Sequence, residues 1–233
     1  TKVLLEHFLN QNADFYYVPI DISSQAIKEL LGSLQQGFPN LKVKEKIGDY
    51  FDMMHELNET ETNRKVLLFL GSNIGNFGHA KAVAFFRQLA EQMQPVDKML
   101  VGFDLKKDPT TILQAYNDPN GHTAAFNLNL LKRINRELGA NFNIDHFQHY
   151  PVYDPQTGAT KSYLVSRKKQ TVRIEALDAE FQFDSWEPIF MEISQKYDEA
   201  MIKQLATESG FRVMRNFYDL RRYFTGSLWE LQK

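Results

Sequence analysis

Four residues with chemical or conformational use stand directly after apolar runs. Asp21 follows Phe15-Tyr16-Tyr17-Val18-Pro19-Ile20, and Asp49 follows Leu41 to Ile47 and Gly48. Gly71 closes Lys65-Val66-Leu67-Leu68-Phe69-Leu70, and Asp104 closes Met99-Leu100-Val101-Gly102-Phe103. If the runs are parallel strands, all four residues share the carboxyl edge of one sheet, where such sheets bind ligands. Asp21 and Asp49 serve equally well as helix N-caps. The most distinctive word is Phe69-Leu70-Gly71-Ser72-Asn73-Ile74-Gly75-Asn76-Phe77. Its glycines and asparagines, placed after a buried strand, allow backbone to approach a ligand closely. Glycine punctuation between a strand and a helix gives the same pattern. The loop has neither the Lys-Ser/Thr of a phosphate loop nor Gly-x-Gly-x-x-Gly, which argues against a generic dinucleotide-binding domain. Asp145, His146 and His149 imitate a metal cluster but have no second ligand word elsewhere. The histidines are therefore read as structural or exposed, and no metal is expected.

The elements that would position these residues alternate. Ser23 can cap a helix carrying Ile27, Leu30, Leu31 and Leu34, which Gly37-Phe38-Pro39-Asn40 ends. Lys81 to Met93 reads as a second helix, stopped by Pro95. The first hundred residues thus run strand, helix, strand, strand, helix, strand, the pattern of a parallel sheet with helices on both faces. Past Pro109 the texture changes. Thr111 to Tyr116 and Ala124 to Leu138 look helical, and Phe147 to Phe183 is β-rich around the turn Pro155-Gln156-Thr157-Gly158. Pro188 is expected to begin a helical stretch. Asp198 to Ser209 reads as an amphipathic helix closed by Gly210, before an antiparallel pair at Phe211–Phe217 and Ser227–Leu231. The expected division is a core of 1–108 with 197–233, interrupted by a substrate-binding insertion at 109–196.

Composition narrows the classes. The 233 residues include 27 Lys and Arg against 29 Asp and Glu, a net charge of −2 that disfavours a general nucleic-acid or membrane binder. No apolar run approaches the roughly 20 residues that span a bilayer. With no cysteine, disulfides, thiolate metal sites and cysteine nucleophiles are excluded, and a reducing, cytoplasmic location is expected. Eighteen Phe, ten Tyr and two Trp supply ample core. The chain opens Thr-Lys-Val rather than with Met, and a segment upstream is expected.

The loop is followed by Asp104-Leu105-Lys106-Lys107-Asp108-Pro109, Gln114-Ala115-Tyr116-Asn117-Asp118 and Met191-Glu192-Ile193-Ser194-Gln195-Lys196-Tyr197. These four words, in this order and at these separations, resemble the histidine-specific Nα-methyltransferases, which make hercynine in ergothioneine biosynthesis. The likeness runs from about residue 2 to the closing Ser227-Leu228-Trp229. It implies an α/β fold, a Rossmann-like S-adenosylmethionine-methyltransferase sheet with an inserted α+β substrate-binding domain. It also implies S-adenosylmethionine as cofactor and a free amino acid as partner, with neither nucleic acid nor membrane; oligomeric state is left open. By the resemblance, Asp21 binds the ribose hydroxyls, Asp49 and Tyr50 meet the adenine, and Gly71 begins the loop along the methionine part. A carboxylate suits a ribose because it accepts both hydroxyl donors. Asn76 and Tyr116 match residues that hold the amino and carboxylate groups of the substrate, and so orient it for catalysis. Glu192 and Ser194 match the pair that binds the imidazole, with Thr123 behind them. Glu192 and Ser194 are two apart, so they diverge on a helix and converge on an extended backbone.

Two departures from the family qualify the match. Its glycine-rich cofactor motif and first core strand would lie upstream of Thr1, between the strands ending at Asp21 and Gly71. Without that strand two sheet halves expose unpaired edges, and the chain by itself is expected to be inactive. Ser162 stands where the family carries Met near the imidazole, which loosens the expectation of strict histidine selectivity. The alternatives are methylation of another amino acid or aromatic amine, and a non-catalytic fragment or binding module with the same fold.

Overall fold

The computed structural model describes residues 1–232. The chain begins with α1 (Lys2–Asn10), β1 (Ile20–Asp21) and α2 (Ser24–Gly37). Ser23 caps α2 by accepting the Ala26 N–H, and Ile27 and Leu34 form its buried stripe. Next come β2 (Lys46–Ile47), α3 (Tyr50–Thr60), β3 (Val66–Phe69), α4 (His79–Gln92) and β4 (Lys98–Asp104). Helices α1 and α3 are additions to the sequence reading. The apolar face of α3 is narrow, burying only Met54 and Leu57, so its helical period is faint.

After β4 the chain forms α5 (Pro109–Tyr116) and α6 (His122–Leu138), then β5 (Phe147–Asp154), β6 (Ala159–Ser166), β7 (Gln170–Ile174), β8 (Ala179–Phe183) and β9 (Pro188–Gln195). Helix α7 (Glu199–Glu208) leads into β10 (Phe211–Tyr218) and β11 (Phe224–Leu231). Gly210, at φ +82°, turns the chain out of α7. The helical stretch expected from Pro188 is instead strand β9, paired antiparallel with β6. Proline tolerates the first position of an edge strand, where its missing N–H breaks no ladder bond. Ile189 and Met191 then pack on the apolar cluster below, which holds the segment extended.

Two sheets form the core. β1 and β2 pair in parallel, and a separate sheet has the order β10-β11-β4-β3, with β3 and β4 parallel and β11 antiparallel to β4. This is a Rossmann-like α/β arrangement with β11 turned against the rest. Helices α4 and α7 cover one face, burying Phe86, Ile202 and Leu205 against Phe103 and Trp229. The opposite face leaves Val66 at 52% and Phe224 at 36% exposure, so the two-sided helical cover expected from the alternation is not complete there. The two sheets are not hydrogen-bonded to each other. Between β1 and β3 runs a groove of about 890 Å³, lined by Tyr17, Ile20, Asp21, Leu67 and Phe69 and partly filled by Leu5 of α1. A second cluster, with Leu131, Phe147, Leu164 and Val172 at its centre, holds α6 against the three-stranded sheet β5-β6-β9.

Candidate active site

Asp21 and Asp49 sit at the carboxyl ends of neighbouring parallel strands, as the sequence pattern requires. Each commits one oxygen to the backbone that follows: Asp21 Oδ1 accepts the Ser23 N–H at 2.8 Å, and Asp49 Oδ1 accepts the Phe51 N–H at 2.8 Å. Asp49 is thus the N-cap of α3, and Tyr50 begins that helix at the mouth of the groove. The second oxygen of each carboxylate has no partner among the described residues. A free carboxylate oxygen is an acceptor for a hydroxyl or amine donor, so the chemistry of Asp21 and Asp49 is compatible with the ribose and adenine of an adenosyl group.

Gly71 leaves β3 at φ +86°, and Ser72 follows at φ +61°. These left-handed residues turn the chain into a short 3-10 segment, Asn73–Asn76. A Cβ on Gly75 would lie 2.9 Å from the Gln195 carbonyl oxygen and 3.7 Å from Ser194 Oγ. The loop therefore runs from the groove, which Phe69 lines, to the backbone of β9. Asn76 is the exposed residue at that junction. Asp21 and Tyr50 line the groove, whereas Asn76, Tyr116 and Glu192 are not among its lining residues.

On the far side, Glu192 and Ser194 lie on one face of β9, opposite Ser162 and Thr160 of β6. The extended backbone makes them converge. Thr160 and Ser162 are each 1% exposed, and neither hydroxyl has a hydrogen-bond partner. Asn127 of α6 is buried, donating from Nδ2 to the Thr123 carbonyl at 3.1 Å and to Glu192 Oε1 at 3.4 Å. The same nitrogen lies 3.5 Å from His149 Nε2. Burial holds the His149 pKa below its ordinary value, against the opposing pull of Glu192 and Asp118. Thr123 itself belongs to the start of α6. Its N–H and that of His122 are both accepted by Asp118, whose pKa those bonds bring down to about 2.

Tyr116 ends α5 and is tied to β9 through Lys196. The Lys196 ammonium, 3% exposed, donates to Tyr116 Oη at 2.7 Å and to Ser194 Oγ at 2.9 Å, and pairs with Asp104 Oδ2 at 2.8 Å. Burial alone would lower its pKa, but Asp104 and Tyr116 outweigh that and raise it. Asp104 also pairs with Lys107 at 2.5 Å. Asn127, His149 and Lys196 thus adjoin the candidate residues, and sequence reasoning did not place them there. One signal was available for Asn127: a polar residue on the stripe of a helix that otherwise buries Leu131.

A model of the family described as histidine-specific, S-adenosylmethionine-dependent methyltransferases matches residues 1–231. The chain belongs to that family. It is 32% identical over 213 residues to the histidine N-alpha-methyltransferase of Mycolicibacterium smegmatis, an alignment covering 91% of this chain and 65% of that protein. Ergothioneine biosynthesis protein 1 of Schizosaccharomyces pombe is 27% identical over 223 residues, 93% of this chain and 29% of the relative. The N-methyltransferase imqF of Aspergillus flavus is 25% identical over 211 residues, covering 87% and 57%. The chain therefore spans just under two thirds of the bacterial relative. Among its described residues no helix is long and apolar enough to cross a membrane.

Proposed function

We propose that the protein transfers methyl groups from S-adenosylmethionine to the α-amino nitrogen of L-histidine. The observation that carries this reading is the pairing of Glu192 with Ser194 on one face of β9, beside Asn127 and linked to Tyr116. In this reading residues 1–108 and 197–233 hold the cofactor and 109–196 receive the amino acid. The absence of cysteine favours the cytoplasm.

Asp21, Asp49, Tyr50 and Gly71 hold the cofactor, which when bound supplies a methyl group already activated by its sulfonium. The remaining work is orientation. Asn76 and Tyr116 hold the amino and carboxylate groups of histidine, and Glu192 and Ser194 hold its ring. Such alignment contributes roughly 7–11 kcal/mol to lowering a barrier. An α-amino group with a pKa of about 8 is mostly protonated at neutral pH. Enclosure disfavours its charged form, and the proton is shed to solvent as the ligand is taken up. Glu192 acts in recognition: without it a ring N–H is buried unpaired, at a cost of about 1–3 kcal/mol. Ser162, where the family carries Met, keeps another amino acid or aromatic amine as the second reading.

The test is mass spectrometry of a panel of free amino acids and aromatic amines incubated with S-adenosylmethionine and the full-length protein. L-Histidine is expected to gain methyl groups on its α-nitrogen. Methylation of tryptophan with none of histidine would move the substrate to another amine. Tight cofactor binding with no methylated product would make this a binding module.

A further inference from the structure

Lys196 lies in the word Met191–Tyr197, yet the reading above gives it no task. Its geometry does. An ammonium has three hydrogens and no lone pair, and this one has three oxygen neighbours at 2.7, 2.8 and 2.9 Å: Tyr116 Oη, Asp104 Oδ2 and Ser194 Oγ. Every hydrogen of the group is used. Both hydroxyl oxygens are therefore acceptors toward Lys196, and their own hydrogens must point elsewhere. No acceptor among the described residues takes either hydrogen.

Resting on the histidine reading, we propose that Lys196 is a positioning residue that fixes the direction of hydrogen bonding in the site: Tyr116 and Ser194 are held as donors toward the ligand. Asp104, at the end of β4, anchors the ammonium. Hydrogen bonds from a cation polarise the hydroxyls and strengthen the bonds they donate in turn.

The consequence is a code along β9. The Glu192 carboxylate accepts; Ser194, whose oxygen accepts from Lys196, has its own hydrogen free to donate. The two are neighbours on one strand face, about 7 Å apart along the backbone. A neutral imidazole matches this pair, with one N–H for the carboxylate and one bare nitrogen for the hydroxyl. Indole has a single N–H and no acceptor, and imidazolium has two donors. Indole gives the Ser194 hydrogen nothing to bond, and imidazolium does not use it either, so Lys196 favours the neutral imidazole through a residue it holds.

Two measurements on the full-length protein test this. The first needs no ligand: the Lys196 ammonium resonance in a 15N-labelled sample should be protected from solvent exchange, and a freely exchanging ammonium overturns the inference. The second is isothermal titration of L-histidine and L-tryptophan with saturating S-adenosylhomocysteine. Lys196→Met and Ser194→Ala should each weaken histidine binding about tenfold, the scale of one charge-assisted hydrogen bond. The double variant should be no weaker than the weaker single, and cofactor-product affinity should be unchanged. Lys196→Arg should recover part of the loss, and it carries the comparison if the methionine variant does not fold. Additive losses, or wild-type histidine affinity in Lys196→Met, overturn the inference and leave the histidine reading standing. Preference for tryptophan overturns both. Failure to bind either amino acid overturns the histidine reading, and the exchange measurement then decides the role of Lys196.

Discussion

His149 shows how much of the site is decided by surroundings rather than by residue type. The sequence offers it as one of two histidines near Asp145, a weak imitation of a metal cluster. The structure turns it onto the inner face of β5, where its Nε2 lies 3.5 Å from Asn127 Nδ2. With its pKa lowered by burial, the folded protein binds fewer protons at this residue than the unfolded chain, whose histidine titrates near 6.5. Stability should therefore hold above about pH 6.5 and fall as the pH drops from there through the depressed folded-state value. Thermal midpoints across pH 5 to 8 check this. His149→Asn should flatten that slope, and an unchanged slope contradicts the assignment. The capping role of Asp49 was legible, and it uses one carboxylate oxygen while the other stays without a partner among the described residues. Lys196 was not, since nothing in a linear sequence says that Asp104, Tyr116 and Ser194 meet at one ammonium.

At the scale of elements, the strand ends were legible and the strand after Pro188 was not. Apolar runs closed by Asp or Gly read directly as β1, β3 and β4. Pro188, by contrast, suits the start of a helix as well as that of an edge strand, and only pairing with β6 decides between them. The same pairing settles Glu192 and Ser194, whose convergence depends on the strand. The contact between the Gly71–Phe77 loop and β9 is equally tight. Gly75→Ala would put a methyl 2.9 Å from a backbone carbonyl, so either the loop or β9 must shift. Overpacking of this kind costs about 1–3 kcal/mol. The shift moves Asn76 away from the ring site, so kcat/KM for histidine should fall about tenfold or more while cofactor affinity changes little. Steady-state kinetics with separate cofactor titration would show it, and wild-type kcat/KM would mean that the loop does not position the substrate.

Among the described residues, two apolar clusters stand beside a groove. The cluster around Trp229 draws its buried residues from 74–105 and 197–229, and the cluster around Leu164 from 131–174. The groove of about 890 Å³ between β1 and β3 corresponds to the pair of unpaired sheet edges expected from the family resemblance. Apolar side chains such as Tyr17, Ile20 and Phe69 line it, so the 233-residue chain should bind anilinonaphthalene sulfonate at neutral pH with its near-ultraviolet dichroism intact. A chain silent to the dye would mean the groove is closed in solution. What joins the two regions is the proposed division of labour: an adenosyl group at Asp21 and Asp49, and an amino acid at Tyr116, Glu192 and Ser194. The most direct test of that division sets Glu192→Ala beside Asp21→Ala in the full-length protein, measuring the histidine KM and the affinity for S-adenosylmethionine in each. Glu192→Ala should raise the histidine KM about tenfold or more with cofactor affinity unchanged, and Asp21→Ala should do the reverse. Equal losses of both in either variant would contradict it.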